Sequence, residues 1–406
     1  MDDIISTEPK GTGIHPVIRL QPGRHKRVRG GHPWVFSNEI EMTGGAKDLA
    51  PGTIVSLVDT GGGAIGTAMF NPQPLISARL LSREMGVNIN ADWLAGRIAR
   101  ASTLRNRFFD RPYYRLVNAE ADGLPGLIID QYADVCVVQL NTAGMEALGS
   151  EIVTALQQTL SPVGIVIQRS GKIRQLEGLN GSLPEIVGTV SSPLTILENG
   201  MDYLVDVTGG QKTGWFFDHR ENRARAASLS VGRRMADIYC YLGGFGLQAA
   251  AAGATEVVCV DRSQHALDLA ARTAKGSGLE NRCRFEKSEA FTALEQLSGK
   301  GEKFDVVVAD PPAFVKSKKD LKPGARGYRK LERLAAEIVE PDGILCIASC
   351  SYHIDVSNFA EQVGRGIRDA GRTSLVFQLT GAGPDHPVHP HLPESSYLKC
   401  LFLQLN

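Results

Sequence analysis

Three side chains that can do chemistry follow apolar runs of the sequence, where the end of a strand would present them to a site. Cys350 follows GILCIAS, Asp310 follows FDVVVA, and Asp261 ends the run EVVCVD. A thiol is a nucleophile, and a carboxyl group can transfer a proton or accept hydrogen bonds from hydroxyl groups. Cysteine is also among the most buried residue types. From its position alone, Cys350 is therefore read more readily as a core residue than as a nucleophile.

The segment that carries these residues, about Gly210 to Asn406, alternates apolar strand patterns with helical ones. Near-continuous Val, Ile and Cys runs separated by helices predict a parallel sheet covered on both faces. Ligands of such sheets bind at the carboxyl ends of the strands, near the switch in strand order. The residues that follow each predicted strand are therefore the candidates for a site.

The chain before this segment shows two other patterns. From about His15 to Ser82, short alternating runs separated by glycine and proline predict a small β-barrel or sandwich. A helix at about Ala91 to Arg111, a hairpin and an amphipathic helix at 144–160 then predict an α+β segment that extends to about Val190. We therefore predict three domains, at residues 15–84, 85–192 and 193–406.

The composition is that of an ordinary globular protein with no net charge. The 406 residues include 44 basic and 44 acidic side chains, and no apolar run approaches the length of a bilayer span, about 20 residues. Seven cysteines without paired spacing disfavour both a disulfide framework and a zinc site. No secretory signal is visible near Met1, so we expect a cytoplasmic protein that has no membrane partner and binds no metal.

Positive charge is concentrated in two places, which reconciles a neutral chain with a nucleic-acid partner. Between Glu8 and Glu39 there are six basic residues and no acid, and residues 314–330 contain seven basic residues opposed only by Asp320. Either stretch can be a solvated surface or can bind phosphate groups. The basic residues are Lys10, Arg19, Arg24, Lys26, Arg27 and Arg29 in the first stretch and Lys316, Lys318, Lys319, Lys322, Arg326, Arg329 and Lys330 in the second.

Glycines after the first strand of the last segment indicate a cofactor that contains a nucleoside. Gly243, Gly244 and Gly246 allow the chain to turn tightly into a helix, and Asp261, one βαβ unit later, is placed to bind ribose hydroxyl groups. These features leave open a nicotinamide dinucleotide or S-adenosylmethionine. The missing GxGxxG spacing favours S-adenosylmethionine, as does Glu289, which lies where a carboxylate could bind an adenine amino group.

Taken together, the motifs resemble those of class I S-adenosylmethionine-dependent methyltransferases that modify cytosine C5 in large-subunit (23S) ribosomal RNA. The resemblance covers nearly the whole chain. It implies an N-terminal PUA domain, which is a β-barrel that binds RNA, a small α+β domain and a seven-stranded Rossmann-like α/β catalytic domain. The motifs are HPVIRLQPGRHKRVRGGHPWVFSNEI (15–40), GQKTGWFFDHRENR (210–223), DIYCYLGGFG (237–246), VVCVDRS (257–263), VVVADPPAF (306–314), CIASCS (346–351) and HPHLPESSYLKCLFLQL (389–405).

The resemblance implies that the strand ends and a cap, residues 212–223, form a site for S-adenosyl-L-methionine. Asp261 would hold the ribose, Glu289 would lie near the adenine, and Asp310 would line the methyl-transfer end. Glu289 departs from the aspartate that is usual in this group, and Asp218 can also be read as the N-cap of a helix. The implied cofactor contacts are Asp237, Tyr239, Gly243, Gly244, Phe245, Gly246, Asp261, Arg262, Glu289 and Asp310, with Lys212, Phe217, Asp218 and Arg220 in the cap.

The chemistry that the resemblance implies gives the cysteine a role. Cytosine C5 is a poor nucleophile, but attack of a thiolate on C6 gives C5 the enamine character that it needs to accept a methyl group. By the family pattern, Cys350 would be that nucleophile and Asp310 would protonate N3 of the base. The other cysteines of the domain, such as Cys240, are predicted to lie inside apolar strands. Related enzymes often carry a second cysteine after the fourth strand, where this chain has Pro311-Pro312, so the base that removes the C5 proton is not identified.

The predicted partner is ribosomal RNA with an unpaired or flipped target base. The two basic stretches would hold its backbone, and a homodimer is a further possibility. Three rival functions are a methyltransferase of another RNA atom, a non-catalytic ribosome-assembly factor that binds RNA, and a nicotinamide oxidoreductase. None of these three rivals needs the Cys350 thiol, whereas methylation of cytosine C5 does. The fold by itself does not decide among them.

A loop with three histidines precedes the last strand. His386, His389 and His391 lie among prolines in residues 383–395, and three histidines can hold a metal. We instead predict that this loop binds or gates substrate at the rim of the active site.

Overall fold

The computed structural model describes residues 15–406, so Lys10 of the first basic stretch lies outside the described residues. The chain forms two compact units. The first unit ends at Val190 and also includes Pro387–Leu392, and the second unit comprises Ser191–His386 and Pro393–Asn406. The predicted three-domain boundaries stay a prediction.

The first half of the first unit contains a five-stranded sheet, as the alternating pattern predicts. The strand order is β1-β3-β4-β5-β2, and the core residues include Leu57 and Phe70. The elements are β1 (Val17–Arg19), α1 (His25–Arg29), β2 (Trp34–Phe36), α2 (Gly44–Lys47), β3 (Thr53–Val58), β4 (Ala64–Phe70) and β5 (Ile76–Ser82).

The second half of this unit is a mixed sheet with the order β10-β9-β8-β7-β6. The predicted helix that begins at Ala91 ends at Arg105 rather than Arg111, and the predicted helix at 144–160 is two helices that meet at Leu148. The elements are α3 (Ala91–Arg105), β6 (Tyr113–Asn118), β7 (Leu127–Tyr132), β8 (Val135–Leu140), α4 (Ala143–Ala147), α5 (Gly149–Leu160), β9 (Gly164–Gln168), α6 (Lys172–Leu176) and β10 (Glu185–Gly188).

The second unit begins with a hairpin and then alternates strands and helices, as predicted. The helix that begins at Leu321 has Pro323 in its first turn, where the missing N–H of proline is not needed. The elements are β11 (Leu194–Glu198), β12 (Met201–Val205), α7 (Arg220–Leu229), β13 (Arg234–Ile238), α8 (Gly244–Ala252), β14 (Glu256–Asp261), α9 (Gln264–Gly276), β15 (Cys283–Lys287), α10 (Ala290–Gly299), β16 (Phe304–Ala309), α11 (Leu321–Glu337), β17 (Val339–Ser349), α12 (Val356–Asp369), β18 (Ser374–Thr380) and β19 (Lys399–Leu405).

These strands form a seven-stranded sheet with the order β15-β14-β13-β16-β17-β19-β18. The first five strands of this order are parallel, and β19 is antiparallel to both of its neighbours. Val258 and Val260 pack into one core and Val257 and Cys259 into the other, since successive side chains point to opposite faces. The strand order reverses between β13 and β16, which places the expected site at the carboxyl ends of these strands.

A buried carboxyl group on α11 destabilises the folded protein. Glu332 has no exposed surface, and neither carboxylate oxygen has a hydrogen-bond partner among the described residues. Burial raises the pKa of Glu332 well above its usual value. The pKa of Glu332 is thus higher in the folded protein than in the unfolded chain, so the stability contributed here is greatest at low pH and falls as the pH rises above the unfolded pKa.

We expect Glu332→Met to raise the free energy of unfolding at pH 7 by about 1–4 kcal/mol, because an apolar side chain of similar volume replaces the isolated carboxyl group. The increase in the free energy of unfolding should become smaller towards pH 4, where the unfolded chain also keeps the proton. Urea denaturation at the two pH values measures both effects. A Glu332→Met variant that is less stable than wild type at both values would contradict this account.

None of the helices among residues 15–406 has the length and apolar character needed to cross a bilayer.

Candidate active site

A cavity of about 580 Å3 lies in the second unit, at the carboxyl ends of the parallel strands. Its volume falls within the roughly 300–1,000 Å3 that is typical of small-molecule sites. Its lining brings together most of the residues that the sequence singles out, from five different strand ends. The predicted site residues in the lining are Lys212, Asp218, Tyr239, Gly244, Phe245, Asp261, Arg262, Glu289, Asp310 and Cys350.

The loop between β13 and α8 has an unusual backbone. Tyr239 and Tyr241 have φ angles of 67° and 50°, in the left-handed region that non-glycine residues rarely adopt. Gly246 has no room for a side chain, because a Cβ atom there would lie 2.6 Å from Cys259 Sγ. The glycine thus lets α8 begin close to the sheet. Such backbone conformations concentrate at functional sites.

Asp237 stabilises the loop between β13 and α8 and does not line the cavity. Its Oδ2 accepts a hydrogen bond of 2.8 Å from the backbone N–H of Gly246, and the side chain is fully buried. Burial raises the pKa of Asp237 to about 7, although the hydrogen bond from Gly246 opposes this shift. Gly243 and Gly246 are also absent from the lining, so these three residues shape the site without forming its wall.

Asp261 is held by two backbone donors in a position to bind hydroxyl groups. Its Oδ2 accepts from the N–H of Tyr241 at 3.0 Å, and its Oδ1 accepts from the N–H of Ser263 at 2.8 Å. Each carboxylate oxygen can accept a further bond. Glu289 lies at the next strand end, at the position before α10. Two carboxylates on neighbouring strand ends suit a ribose and an adenine amino group.

Part of the cavity wall is aromatic. The rings of Phe291 and Phe314 are stacked with centroids 6.3 Å apart, and both residues line the cavity. The Phe314 ring also contacts Tyr328, with centroids 4.8 Å apart, which fixes its position. Flat apolar surfaces beside carboxylates fit an adenosine group, so this end of the cavity fits the cofactor that the sequence predicts.

The cap segment supplies a buried carboxylate to the other end of the cavity. Asp218 is 6% exposed, its Oδ2 accepts a hydrogen bond of 2.5 Å from Tyr397 Oη, and its Oδ1 has no hydrogen-bond partner among the described residues. Burial opposes ionisation, but the charges of His219, His386 and Lys212 lower the pKa of Asp218. An ionised oxygen without a donor fits a cationic group, such as the ammonium of the cofactor.

Two predicted cap residues do not line the cavity. The guanidinium of Arg220 lies 5.3 Å from the centroid of the Phe217 ring, and Arg220 Nε lies 3.8 Å from Glu198 Oε2. Neither residue is in the cavity lining, and their predicted contact with the cofactor stays a prediction.

Cys350 and Asp310 follow adjacent strands, since β16 pairs with β17 through Ala309 and Ile347. Both line the cavity, and Cys350 is half-buried rather than part of the core. Burial, with an added contribution from the Asp310 carboxylate, raises the pKa of the Cys350 thiol to about 11, whereas Lys212 acts to lower it. The thiol in the free protein is therefore protonated at neutral pH.

The residues on either side of Cys350 are held firmly. Tyr328 Oη lies 2.7 Å from Ser349 Oγ and 2.8 Å from Ser351 Oγ. Lys399 Nζ donates hydrogen bonds to the carbonyl oxygens of Ser351 and Ile354. This network explains why serines flank the cysteine, and it orients the turn that carries the thiol.

The prediction that Cys240 lies inside an apolar strand is wrong. Strand β13 ends at Ile238, two residues earlier than the apolar pattern suggests, and Cys240 is buried in the cavity lining. Burial raises the pKa of Cys240 well above its usual value. The site thus contains a second thiol, in the loop after the first strand of the sheet rather than after the fourth.

His219 is a functional candidate that the sequence interpretation missed, although it lies within the quoted cap motif. Its Nε2 is 3.3 Å from Asp310 Oδ2, and the side-chain amide of Asn222 lies 3.1 Å from its Nδ1. Burial acts to lower the pKa of His219, but the Asp310 carboxylate outweighs it and raises the pKa to about 9. His219 is therefore a cation at neutral pH, and it pairs with the Asp310 side chain.

This ion pair predicts a pH dependence. Since the pKa of His219 is raised from 6.5 to about 9, its contribution to stability is complete below pH 6.5 and is lost as the pH rises through 9. We expect the free energy of unfolding to fall across this window by up to about 1.4 kcal/mol per pH unit from this group. Urea denaturation of wild type and His219→Gln should show a difference that shrinks as the pH rises. A constant difference from pH 6 to 10 would contradict the pairing.

The basic stretches are partly neutralised in the folded chain. Arg19, Arg27 and Arg29 form ion pairs with Glu41, Glu39 and Asp59, respectively, whereas Arg24 and Lys26 are exposed. In the second stretch, Arg329 pairs with Asp369 and Lys330 with Glu295. The five remaining basic residues of that stretch are exposed, namely Lys316, Lys318, Lys319, Lys322 and Arg326.

The histidine loop does not form the predicted rim of the cavity. None of residues 383–395 lines it, and Pro387–Leu392 belongs to the first unit. His386 Nδ1 lies 2.9 Å from Asp385 Oδ1. Across the part of the chain that the structure describes, no group of three or more His, Cys, Asp or Glu side chains is arranged to hold a metal ion.

Comparison with known proteins identifies the class that this fold and site define. Residues 18–83 match a family model described as a PUA-like domain, and residues 146–401 match one described as S-adenosylmethionine-dependent methyltransferase. A methyltransferase from Streptococcus mutans superposes with a TM-score of 0.80 over 96% of this chain and 100% of that chain, at 22% identity. A second solved methyltransferase, complexed with SAH, has a TM-score of 0.81, with the same coverage of both chains, at 21% identity. The fold is that of an S-adenosylmethionine-dependent methyltransferase, which confirms the predicted cofactor.

Closer relatives place the chain within that class. A protein of Aeromonas hydrophila is 37% identical over 95% of this chain and 98% of its own length. A protein of Pseudoalteromonas atlantica is 36% identical over 96% of this chain and 99% of its own length. Both are named ribosomal RNA large subunit methyltransferase I, and the chain belongs to this family.

Proposed function

We propose that the protein methylates C5 of a cytosine in large-subunit ribosomal RNA, through a transient covalent bond between Cys350 and C6 of the base. The observation that carries the proposal is a thiol and a carboxyl group at the ends of adjacent strands, in one cavity that fits the cofactor. The names of the curated relatives support large-subunit ribosomal RNA as the substrate.

In the proposed reaction, protons and electrons balance within the site. Asp310 takes the thiol proton of Cys350 and passes it to N3 of the cytosine while the sulfur forms a bond to C6. The electrons of the C5–C6 double bond move to form a C4–C5 double bond, which makes C5 nucleophilic. S-adenosylmethionine supplies the electrophilic methyl group that C5 accepts. A base then removes the C5 proton, the sulfur–C6 bond breaks, and the C5–C6 double bond forms again. The N3 proton returns through Asp310 to the sulfur of Cys350, which restores the thiol.

The thiol must ionise for this chemistry, and the surrounding charges decide whether it does. In the free protein the pKa of Cys350 is raised to about 11 by burial and by Asp310. Lys212 already lowers it, and a cation in the cavity acts in the same direction. The sulfonium of S-adenosylmethionine carries such a charge. We therefore expect the thiolate to form only in the complex with cofactor.

The raised thiol pKa is also the observation that favours a second candidate function. A methyltransferase that modifies another atom of a ribosomal RNA base needs no thiolate, and for it Cys350 would only shape the wall. The two candidates differ in whether an RNA–protein bond forms during turnover.

The RNA would be held by the five exposed basic residues between 316 and 326, which follow directly after the cavity residue Phe314. Phosphate contacts of this kind position a substrate and weaken as salt rises. The PUA-like domain at 18–83 supplies a second RNA-binding module. Within that domain, Arg27 and Arg29 of α1 are paired with acidic residues. Lys26 of the same helix and Arg24, its N-cap residue, are exposed and available to bind RNA.

A substrate with fluorine at C5 tests the proposal. After the methyl group reaches such a carbon there is no C5 proton to remove, so the sulfur–C6 bond persists. Incubation with S-adenosylmethionine and ribosomal RNA that contains 5-fluorocytidine should give a complex that survives denaturing electrophoresis. Wild type should form it and Cys350→Ala should not. Methyl transfer to unmodified RNA without any trapped complex on the fluorinated RNA would favour the second candidate.

A further inference from the structure

The first unit contains a second concave surface, which no step of the proposed reaction uses. A cavity of about 670 Å3 is formed by one side of α3, the turn after β6 and the segment at His389 and Pro390. We call it the arginine pocket, because Arg97, Arg100 and Arg107 line it.

The acidic side chains in this pocket are engaged by other groups. Asp122 forms a bidentate ion pair with the buried Arg105, with distances of 2.6 and 2.8 Å, and accepts the backbone N–H of Asn118. Glu120 Oε1 accepts a hydrogen bond of 2.8 Å from Trp34 Nε1 and lies 3.9 Å from Arg79 Nε.

The three arginines therefore give the pocket a positive charge. Arg97 is anchored, since it donates to the carbonyl oxygen of Leu81 and its guanidinium lies 4.8 Å from the Trp93 ring. Arg100 and Arg107 are exposed. Arginine presents a planar set of donors that matches phosphate oxygens, which a solvated lysine surface does not.

The spacing of the arginines indicates the kind of anion. The helical stretch from Arg97 to Arg105 rises about 12 Å at 1.5 Å per residue, and Arg107 lies in the turn just after α3. That distance is longer than a single phosphate group, but a nucleic-acid strand carries one phosphate per roughly 3.4 Å of helix axis. Several consecutive phosphates of one strand can therefore lie along this face of α3.

We propose that the arginine pocket binds the phosphodiester backbone of the substrate RNA. This inference rests on the proposed function, because it takes RNA as the substrate. The pocket belongs to the same compact unit as the PUA-like domain, so that unit has two RNA-binding surfaces, and α3 holds a length of RNA without reading its sequence.

The test measures RNA binding by the full chain, separately from methyl transfer. The variant Arg100→Gln/Arg107→Gln should raise the Kd for an unmodified large-subunit RNA transcript by about tenfold, and should reduce the slope of log Kd against log salt by about 2. The melting temperature and the Kd for S-adenosylmethionine should stay unchanged. In methylation assays the KM for RNA should rise while kcat at saturating RNA stays within about twofold. Arg100→Lys/Arg107→Lys should restore most of the affinity.

A matched control distinguishes an effect of the arginine pocket from an effect of losing any two positive charges. Arg225 and Arg272 are exposed arginines on α7 and α9 of the other unit, and Arg225→Gln/Arg272→Gln removes the same charge. This control should leave the Kd for RNA within about twofold. An equal loss in both double variants, or no loss in the pocket variant, would overturn the proposal while leaving the proposed function intact. Wild-type protein that binds no RNA would instead contradict both.

Discussion

Cys350→Ser is expected to reduce methyl transfer to RNA by about a thousandfold or more, because a serine hydroxyl is far harder to ionise and is a weaker nucleophile than a thiol. The side chain is half-buried, and its turn is held by Tyr328 and Lys399 rather than by the thiol itself. The fold should therefore survive the substitution. Binding of S-adenosylmethionine, measured by calorimetry, and the melting temperature should remain close to those of wild type.

Two other cysteines serve as comparisons for this result. Cys283 lies at the start of β15 and does not line the cavity, so Cys283→Ser should remain fully active. Cys240 does line it, and Cys240→Ser should retain transfer within about tenfold, because its side chain is buried and its thiol donates to the carbonyl oxygen of Tyr241. If Cys240→Ser abolished transfer and Cys350→Ser did not, the nucleophile would be Cys240.

Asp261→Ala is expected to raise the Kd for S-adenosylmethionine by about 30- to 300-fold, since hydrogen bonds from ligand hydroxyl groups to a charged carboxylate each contribute about 1.5–3 kcal/mol. The variant also removes the acceptors for the N–H groups of Tyr241 and Ser263. Part of the loss will therefore come from the loop between β13 and α8. Calorimetric titration with S-adenosylmethionine measures the total effect.

Glu289→Gln is the control for this prediction. Glu289 is exposed and lies at the other carboxylate position of the cofactor end, so its variant should change the Kd by less than about tenfold. RNA binding should be unaffected by either substitution. An Asp261→Ala variant that binds S-adenosylmethionine as tightly as wild type would show that the cofactor lies elsewhere in the cavity.

The ends of the strands could be predicted from the sequence. The apolar runs and the rule that ligands bind at the carboxyl ends of parallel strands were sufficient for this. Apolar runs predict where β14, β16 and β17 end, and parallel strands bring their carboxyl ends to one edge. Asp261, Asp310 and Cys350 therefore lie in one cavity as predicted.

The rest of the site depends on contacts between distant segments. Tyr397 reaches Asp218 across 179 positions of the sequence, and no local pattern signals this contact. His219 was within a quoted motif, but its importance comes from Asp310, which follows a different strand. Cys240 was misplaced because the apolar run continues two residues beyond the end of β13.

The net charge of each surface was the least predictable property, because it also depends on contacts between segments that are distant in the sequence. The first basic stretch has no acid within it, yet Glu41 and Asp59 from later in the chain pair with Arg19 and Arg29. Conversely, the sequence did not indicate the arginine pocket, since Arg97 and Arg100 are interspersed with apolar residues in α3 and Arg107 follows that helix. The positive charge of the pocket can be inferred only from the folded structure, in which Asp122 is paired with Arg105.

The measurement that tests the central claim most directly is the identity of the methylated nucleoside. Wild-type protein would be incubated with methyl-labelled S-adenosylmethionine and large-subunit ribosomal RNA that lacks the modification, and the RNA would then be digested to nucleosides and separated by chromatography. The account predicts that the label co-elutes with 5-methylcytidine and is absent when Cys350→Ser replaces wild type. Label in any other nucleoside, or equal labelling by both proteins, would contradict it.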